Sequence, residues 1–323
     1  MIKVGIIGGA GYTAGELLRI LVNHPEVEIS FVHSESNAGN LICDVHEGLI
    51  GDTLLRFSDT FDLGSVDVLF LCGAHGKSGA FWEQNPRPEG LKVIDLAQDF
   101  RDESCGYVYG LPEWQKAKIE GASLVANPGC FATAIQLALL PLAAAGLLKS
   151  EINVTAITGS TGAGVKPGST THFSWRNNNI SVYKVFEHQH LLEICRNLCA
   201  LQHNGPADEL RINFVPVRGD FARGIFASVH TDCDLTEEEA VKLYEDYYRD
   251  AAFTFVSGKG VDLKQVVNTN KCVLHVEKHS GKIVVSSVID NLLKGASGQA
   301  VQNMNIIFGL PEDTGLRLKA SAF

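Results

Sequence analysis

The chain has 323 residues with 45% hydrophobic and 20% charged side chains, enough for about two globular domains with full cores. Its net charge of −10 argues against nucleic acid or an anionic bilayer as a partner, because both are polyanionic. The start of the chain lacks a secretory signal, no apolar run suits a membrane span, and the eight cysteines include no CxxC pair. We therefore expect a reduced, cytoplasmic protein.

A glycine-rich turn follows the first predicted strand, residues 3–7. It reads Gly8-Gly9-Ala10-Gly11-Tyr12-Thr13-Ala14 and leads into a segment with helical periodicity. Strand, glycine turn and helix together indicate a dinucleotide site, although a plain βα turn would give a similar pattern. Gly8 permits the tight turn, Gly11 lets the backbone approach a pyrophosphate, and Ala14 allows close helix packing. Tyr12 and Thr13 lie in the same turn and join them as candidate cofactor-binding residues.

The second predicted strand, residues 28–33, bears on the choice of cofactor. An NAD-preferring enzyme usually has an acidic residue at this strand end to bind the ribose hydroxyls. Here the strand ends in His33 and Ser34, and Ser36 follows closely. A cation and hydroxyls suit a 2′-phosphate, which favours NADP, with Ser34 and Ser36 as contacts. Glu35 would oppose that phosphate if it pointed inward.

Polar residues also follow the next two predicted strands, residues 66–71 and 93–96. His75 lies just beyond the first, where ligands bind in parallel sheets, and is a further cofactor candidate. Arg101 lies beyond the second, where a guanidinium could bind phosphate or carboxylate in a bidentate manner. The alternatives are a helix-capping loop around His75 and a surface ion pair for Arg101.

The segment Asn127-Pro128-Gly129-Cys130 predicts a turn before a buried, Ala- and Leu-rich helix over residues 132–140. Cys130 then lies at or beside the first helical turn. Backbone N–H groups and the helix dipole favour an anion there, so a thiol tends toward thiolate, the form that attacks carbonyl carbon. A small buried residue at a helix start is the alternative explanation.

A second glycine-rich segment, residues 159–164, follows a predicted strand at 152–158. We expect a flexible loop whose backbone N–H groups and hydroxyls are offered to an anion, with Ser160, Thr161 and Gly162 as substrate or phosphate contacts. A plain mobile linker is the alternative.

Two histidines, His188 and His190, precede a predicted helix. They lack a third ligand at metal spacing, so no metal site is expected. His190 and Glu193 are three residues apart, which places them on one helix face where Glu193 could orient the imidazole. A histidine near a thiol is a common partner for proton transfer, whereas two solvated histidines are the alternative.

The remaining pattern differs from that of the first half. Alternating segments at 211–217, 224–232, 272–277 and 282–289 predict strands, a helix is expected from about residue 235 to 250, and a small-residue helix follows near the C-terminus.

Taken together and in order, these motifs resemble those of the N-acetyl-gamma-glutamyl-phosphate reductases of arginine biosynthesis, in the semialdehyde dehydrogenase superfamily. The resemblance covers nearly the whole chain. It is carried by GxxGYT at Gly8–Thr13, DFR at Asp99–Arg101, YGLPE at Tyr109–Glu113, NPGCFAT at Asn127–Thr133, HxHxxEI at His188–Ile194 and KGASGQAVQNMN at Lys294–Asn305.

The resemblance implies an α/β fold with two domains. A Rossmann-type NADP-binding domain would cover residues 1–128, joined by a returning C-terminal helix at 294–323. An α+β catalytic and oligomerisation domain of the glyceraldehyde-phosphate or semialdehyde dehydrogenase type would cover 129–293. A homodimer or homotetramer is implied.

The resemblance also implies NADPH-dependent reduction of N-acetyl-gamma-glutamyl phosphate to the semialdehyde and phosphate. Cys130 matches the family nucleophile, the acid/base falls on His188 or His190, with His190 preferred, and Glu193 supports it. Asn303 of the last motif joins the cofactor candidates. Another acyl phosphate (N-succinylglutamyl, aminoadipyl or aspartyl phosphate), a non-redox Cys-His acyltransferase or hydrolase, and a nucleotide-binding sensor stay open as alternatives.

The chain departs from the family pattern in three places. Val165 and Lys166 stand where the family loop commonly has Arg, Leu192 replaces a frequent Pro, and Arg218-Gly219-Asp220 precedes the Arg223-Gly224 pair. The identity of the N-acyl group is left open by these differences.

Overall fold

The computed structural model describes residues 1–73, 76–202 and 210–321. These residues form two compact units. Unit 1 comprises Met1–Pro128 and Ala296–Arg317, and unit 2 comprises Gly129–Gly295 and a short stretch that begins at Leu318. Each unit is built around its own sheet.

Unit 1 contains a parallel sheet in the order β3-β2-β1-β4-β5-β7-β6. Its strands are β1 (Ile2–Ile7), β2 (Val27–His33), β3 (Phe57–Ser58), β4 (Val68–Leu71), β5 (Lys92–Asp95), β6 (Val108–Tyr109) and β7 (Leu124–Ala126), with helices α1 (Tyr12–Leu21), α2 (Ser78–Gln84) and α3 (Pro112–Glu120). Strand order reverses beside β1, and ligands of such sheets bind outside the carboxyl ends of the strands at this point.

Unit 2 contains a mixed sheet in the order β12-β13-β14-β11-β8-β10-β9. Its elements are α4 (Cys130–Ala144), β8 (Ile152–Thr158), α5 (Phe173–Arg176), β9 (Ser181–Val182), α6 (His190–Gln202), β10 (Ile212–Arg218), β11 (Ile225–Asp232), α7 (Glu237–Tyr247), β12 (Thr254–Val256), β13 (Cys272–His279) and β14 (Lys282–Ile289). The strands alternate between buried and half-buried residues, because one sheet face packs against helices.

Helix α4 is the central helix of unit 2, buried from Phe131 to Ala143. It contains Pro141, which has no N–H to donate to the carbonyl of Leu137. The hydroxyl of Tyr248 donates to that carbonyl instead, at 2.5 Å, and the hydroxyl of Tyr244 donates to the next one, Ala138, also at 2.5 Å. The helix therefore continues through the proline, past residue 140 where the sequence pattern ends it.

The C-terminal helix is shorter than the sequence predicts. A π-helical turn at Leu293–Ser297 leads into α8, which covers only Gly298–Ile307 rather than extending through residues 294–323. Gly309 adopts a positive φ of 69°, and Pro311 follows, so the chain cannot continue as a helix. Among the described residues, no helix is long and apolar enough to cross a membrane.

Candidate active site and dinucleotide-binding region

Cys130 is the first residue of α4, and Gly129 is its N-cap. Gly129 has no side chain with which to cap this end of the helix, and the first turn contains no acidic residue. The thiol is partly exposed. The positive end of the helix dipole therefore acts on a cysteine that a reagent can reach, and this favours thiolate.

The imidazole of His190 lies directly against Gly129. A methyl group added at Gly129 would fall 2.3 Å from His190 Nε2, so only glycine permits this approach. Glu193 links the same residues, because its Oε2 accepts the Gly129 N–H at 3.2 Å while its Oε1 lies 4.0 Å from His190 Nε2. Both side chains are buried. The structure thus brings Cys130, His190 and Glu193 together at one helix start.

His188 is also buried beside His190, with ring centres 4.6 Å apart, but its contacts differ. Its Nδ1 accepts the backbone N–H of His190 at 3.2 Å. Burial, reinforced by the charges of Lys184 and Arg218, lowers the pKa of His188 to about 4. His188 is therefore neutral near pH 7, and its bond to the His190 N–H orients the chain entering α6.

A second glycine lies against the nucleophile. A methyl group at Gly295 would fall 2.8 Å from Cys130 Cβ. The turn carrying Gly295 is held by Asp290, whose carbonyl accepts the Gly295 N–H at 2.9 Å and whose carboxylate accepts two hydrogen bonds from Arg223, each of 3.1 Å. Asp290 and Arg223 were not among the predicted site residues, although the Arg223-Gly224 pair was noted in the sequence.

Two further residues beside this cluster were missed from the sequence. The ring of Tyr183 lies 5.9 Å from that of His188, and the guanidinium of Arg218 lies 4.7 Å from the centre of the Tyr183 ring. Burial raises the pKa of Tyr183, although Arg218 acts in the opposite direction, and the charge of Cys130 adds to the rise. No local motif indicates this grouping, because it forms across strand β10 and the loop before α6.

The segment 159–164 is not the flexible anion-binding loop that the sequence predicts. Residues 160–163 form a 3₁₀ turn. The N–H groups of Ser160 and Thr161 donate to the carbonyls of Phe221 and Ala222, at 2.8 and 3.1 Å, and the Gly162 N–H donates to Gly159. The Thr161 hydroxyl also donates to Ala222. These backbone donors are already used by the protein, whereas contact of a substrate or phosphate with the side chains of this segment stays a prediction.

In unit 1, the turn before α1 fits a dinucleotide. Gly8 has a φ of 84°, and Ala14 is buried. Gly11 is the N-cap of α1 and has open space where a side chain would be, while the helix end has neither a capping side chain nor an acidic residue in its first turn. Such an end receives a pyrophosphate readily. Tyr12 is exposed, and the Thr13 carbonyl accepts the Ser297 hydroxyl at 2.7 Å.

The end of β2 carries the two predicted serines. Ser34 is buried and Ser36 is exposed, and both hydroxyls accept hydrogen bonds from the Asn37 amide, at 3.3 and 3.0 Å. Arg56 lies at the same edge and donates to the Gly39 carbonyl at 2.7 Å. This cation was missed because it lies about twenty residues along the chain from the serines. His75 lies outside the described residues.

Two residues of unit 1 that the sequence predicts as ligand contacts form hydrogen bonds with the backbone. Arg101 is buried and donates to the carbonyls of Asn127 and Leu96, at 2.9 and 3.1 Å. Asn303 is fully buried, and its amide donates to the Gly110 carbonyl and to Asn127 Oδ1, at 2.9 and 3.1 Å. These bonds hold the backbone of unit 1 around Asn127, and a ligand contact by either residue stays a prediction.

Comparison with known proteins agrees with this geometry. A family model described as semialdehyde dehydrogenase, NAD binding domain, matches residues 3–122, and one described as semialdehyde dehydrogenase, dimerisation domain, matches residues 130–291. Proteins named N-acetyl-gamma-glutamyl-phosphate reductase from Azobacteroides pseudotrichonymphae and Phocaeicola vulgatus are 62% and 59% identical, with both chains covered in full.

The chain belongs to the N-acetyl-gamma-glutamyl-phosphate reductase family. This confirms the family resemblance, the α/β fold class and the nicotinamide-binding character of the N-terminal domain. Solved structures agree on the fold. Aspartate semialdehyde dehydrogenase II from Vibrio cholerae, complexed with ASA, has a TM-score of 0.75 at 18% identity and covers 96% of this chain and 98% of its own. Aspartate semialdehyde dehydrogenase with NADP from Candida albicans has a TM-score of 0.73 at 14% identity, over 95% and 99%.

Gly129→Ala should displace the His190 imidazole, because the added methyl group would fall 2.3 Å from Nε2. We expect kcat in the reductase assay of the family to fall roughly a hundredfold, the effect of misplacing a catalytic group by about 1 Å. Gly258→Ala is the matched control in the same unit, since open space surrounds that position. Equal kcat for Gly129→Ala and the control would contradict the placement of His190.

Asp95 lies buried at the end of β5, and burial raises the pKa of its carboxyl from the ordinary 3.8 to about 6, with Asp99 adding to the rise and Ser78, Ala97 and Arg101 opposing it. The folded state holds this proton more tightly than the unfolded state. The contribution of this group to the free energy of unfolding is therefore fully present below pH 3.8. It falls by roughly 3 kcal/mol as the pH rises from 3.8 through 6.

Asp95→Asn keeps an uncharged group at every pH. We expect the gain in Tm over the wild type to be larger at pH 8 than at pH 5, as measured by thermal unfolding of both proteins. A gain in Tm that is equal at the two pH values, or larger at pH 5, would show that burial does not raise the pKa of the Asp95 carboxyl.

Proposed function

We propose that the chain reduces N-acetyl-gamma-glutamyl phosphate to N-acetylglutamate semialdehyde and phosphate, a step of arginine biosynthesis. Two relatives that match the chain over their full length are named N-acetyl-gamma-glutamyl-phosphate reductase. The observation that carries the proposal is a partly exposed cysteine at a helix N-terminus, with His190 and Glu193 converging on the adjacent glycine. An acyl phosphate needs this combination of a strong nucleophile and a nearby proton donor.

Cys130 performs the first step. Its thiolate attacks the γ-carbonyl carbon, a C–S bond forms, and the C–O bond to phosphate breaks with its electron pair leaving on phosphate. A thioester results, which accepts a hydride far more readily than a carboxylate does. The unpaired N–H groups at the start of α4 would stabilise the oxygen that becomes negative, whereas the Gly129 N–H already donates to Glu193.

His190 performs the second step. When bound, the reduced nicotinamide cofactor supplies the hydride that brings the thioester to the aldehyde level. His190 donates a proton to the tetrahedral oxygen and takes it back as the carbonyl of the aldehyde forms and the C–S bond breaks, with its electron pair leaving on sulfur. Glu193 stabilises the imidazolium form of His190. Glu193 therefore acts through His190 and through the helix start, and His188 acts as a positioning residue.

The cofactor proposed for unit 1 is NADP. Gly8, Gly11 and Ala14 would hold the pyrophosphate beside the start of α1, with Tyr12 and Thr13 in the same turn. Ser34 and Ser36 offer hydroxyls at the end of β2, and Arg56 adds a positive charge at that edge. A 2′-phosphate needs such donors, whereas the two ribose hydroxyls of NAD need an acid.

The protein is proposed to act as a homodimer or homotetramer on a small acyl phosphate. The family model matching residues 130–291 is described as a dimerisation domain. Unit 2 also exposes large apolar side chains between residues 165 and 192, which suit an interface between copies better than contact with water. They are Val165, Phe173, Trp175, Ile180, Val182, Val185, Phe186 and Leu192.

Cys130→Ser should abolish turnover, because a serine hydroxyl at a helix start is not ionised near pH 7. The assay is phosphate-dependent reduction of NADP by N-acetylglutamate semialdehyde, which is the reaction in reverse. Binding of NADPH, followed by its fluorescence, should be unchanged and serves as the control for folding. Retained activity in the purified variant would refute the nucleophile assignment.

Ser36→Glu tests the cofactor assignment at an exposed position where a longer side chain fits. We expect the wild type to have a higher kcat/KM with NADPH than with NADH. A carboxylate at position 36 would repel a 2′-phosphate, so the ratio of the two kcat/KM values should fall at least about tenfold in the variant. The kcat/KM with NADH provides the internal control and should change little. Equal kcat/KM for NADPH and NADH in the wild type would contradict the NADP assignment.

A further inference from the structure

Arg218 is held in a fixed position at the end of β10. Its backbone pairs with Thr158 of β8 and with Ser181 of β9. The buried guanidinium of Arg176 donates to the Arg218 carbonyl at 2.8 Å, and also to the carbonyl of Thr170 and the hydroxyl of Ser181. The Arg218 side chain therefore projects from a rigid strand end rather than from a mobile loop.

The Arg218 side chain belongs to the cluster around the nucleophile. Its guanidinium lies over the Tyr183 ring, which lies 5.9 Å from the His188 ring. The His188 ring is in turn 5.3 Å from that of Phe131, the residue next to Cys130. All of these residues lie in unit 2.

The charge of Arg218 has no carboxylate partner within the described parts of unit 2. Arg223 is paired with Asp290, and Asp220 accepts the Asn178 backbone N–H at 2.6 Å. Lys184 is a second cation near the same histidine, bonded to the neutral Gln189. Arg218 and Lys184 therefore bring two positive charges to a site that must receive an anionic substrate, and Arg218 is hydrogen-bonded to the side chain of Tyr183. The guanidinium and the phenol can thus act on one ligand together.

We propose that Arg218, with the hydroxyl of Tyr183, binds a carboxylate of the acyl-phosphate substrate next to Cys130. The planar fork of the guanidinium matches a carboxylate, which is retained throughout the reaction, whereas phosphate must be released. Arg218 also lies in the segment that departs from the family pattern, so it serves substrate recognition rather than the shared chemistry. The proposal rests on the proposed function.

The carboxylate could be the α-carboxylate of the glutamyl group or a second one on the N-acyl group. The reverse reaction distinguishes them when N-acetylglutamate semialdehyde and N-succinylglutamate semialdehyde are compared. Arg218→Met should raise KM for the semialdehyde about tenfold or more, while kcat and KM for phosphate change little. A rise with both substrates identifies the α-carboxylate, and a rise with the succinyl substrate alone identifies the acyl carboxylate.

Three further variants sharpen the result. Arg218→Lys keeps the charge and should recover part of the affinity, and Tyr183→Phe should raise the same KM by a smaller factor. Arg211→Met is the matched control, because it removes an exposed arginine beside the start of the same strand.

The outcomes separate the two proposals. If the wild type is active and Arg218→Met has an unchanged KM for the semialdehyde, the role of Arg218 is overturned and the proposed function stands. The same conclusion follows if Arg218→Met raises only the KM for phosphate. A wild type that does not reduce NADP with N-acetylglutamate semialdehyde overturns the proposed function, and one that reduces NADP with neither semialdehyde overturns this proposal with it. If Arg218→Met does not fold, Arg218→Lys and Tyr183→Phe provide the same comparison, and unchanged KM in both overturns the proposal.

Discussion

The hydrogen bond from the Gly129 N–H to Glu193 Oε2 is the interaction on which the geometry around Cys130 depends. A buried carboxylate is costly unless it is paired, and here the start of α4 provides the donor. The bond joins the first turn of α6 to the first turn of α4 and so brings His190 over Gly129. One turn further along α6, the Asn197 amide donates to Gln136 of α4 at 2.9 Å, which fixes the rotation of one helix about the other.

Several polar residues that follow the ends of strands form hydrogen bonds with backbone groups. Asp99 accepts the N–H groups of Gly76 and Ser78, Arg101 donates to two carbonyls, and Thr161 donates to Ala222. Segments that leave the ends of strands contain many unpaired donors and acceptors, and buried ones require partners. The residue types that suit a phosphate ligand are therefore also used to hold the loops that follow the strands.

Local pattern was sufficient to predict the elements with strong periodicity or a distinctive turn. The strand at 152–158, the turn at Gly8 and the placement of Cys130 at a helix start follow from short segments read alone. The clustering of Arg218, Tyr183 and His188 depends on strand pairing between distant segments, so no spacing in the sequence reveals it. The separate roles of His188 and His190 likewise depend on one backbone hydrogen bond and on burial, neither of which a two-residue spacing determines.

Because of Pro141, one hydrogen bond inside α4 must come from a residue far along the chain. Tyr248, which donates to the Leu137 carbonyl, lies 111 residues further along the sequence. Without that segment the Leu137 carbonyl has no donor in the interior of the helix, and burying it would be unfavourable. A fragment that stops before α7 would therefore carry Cys130 on a helix with an unsatisfied carbonyl in its core.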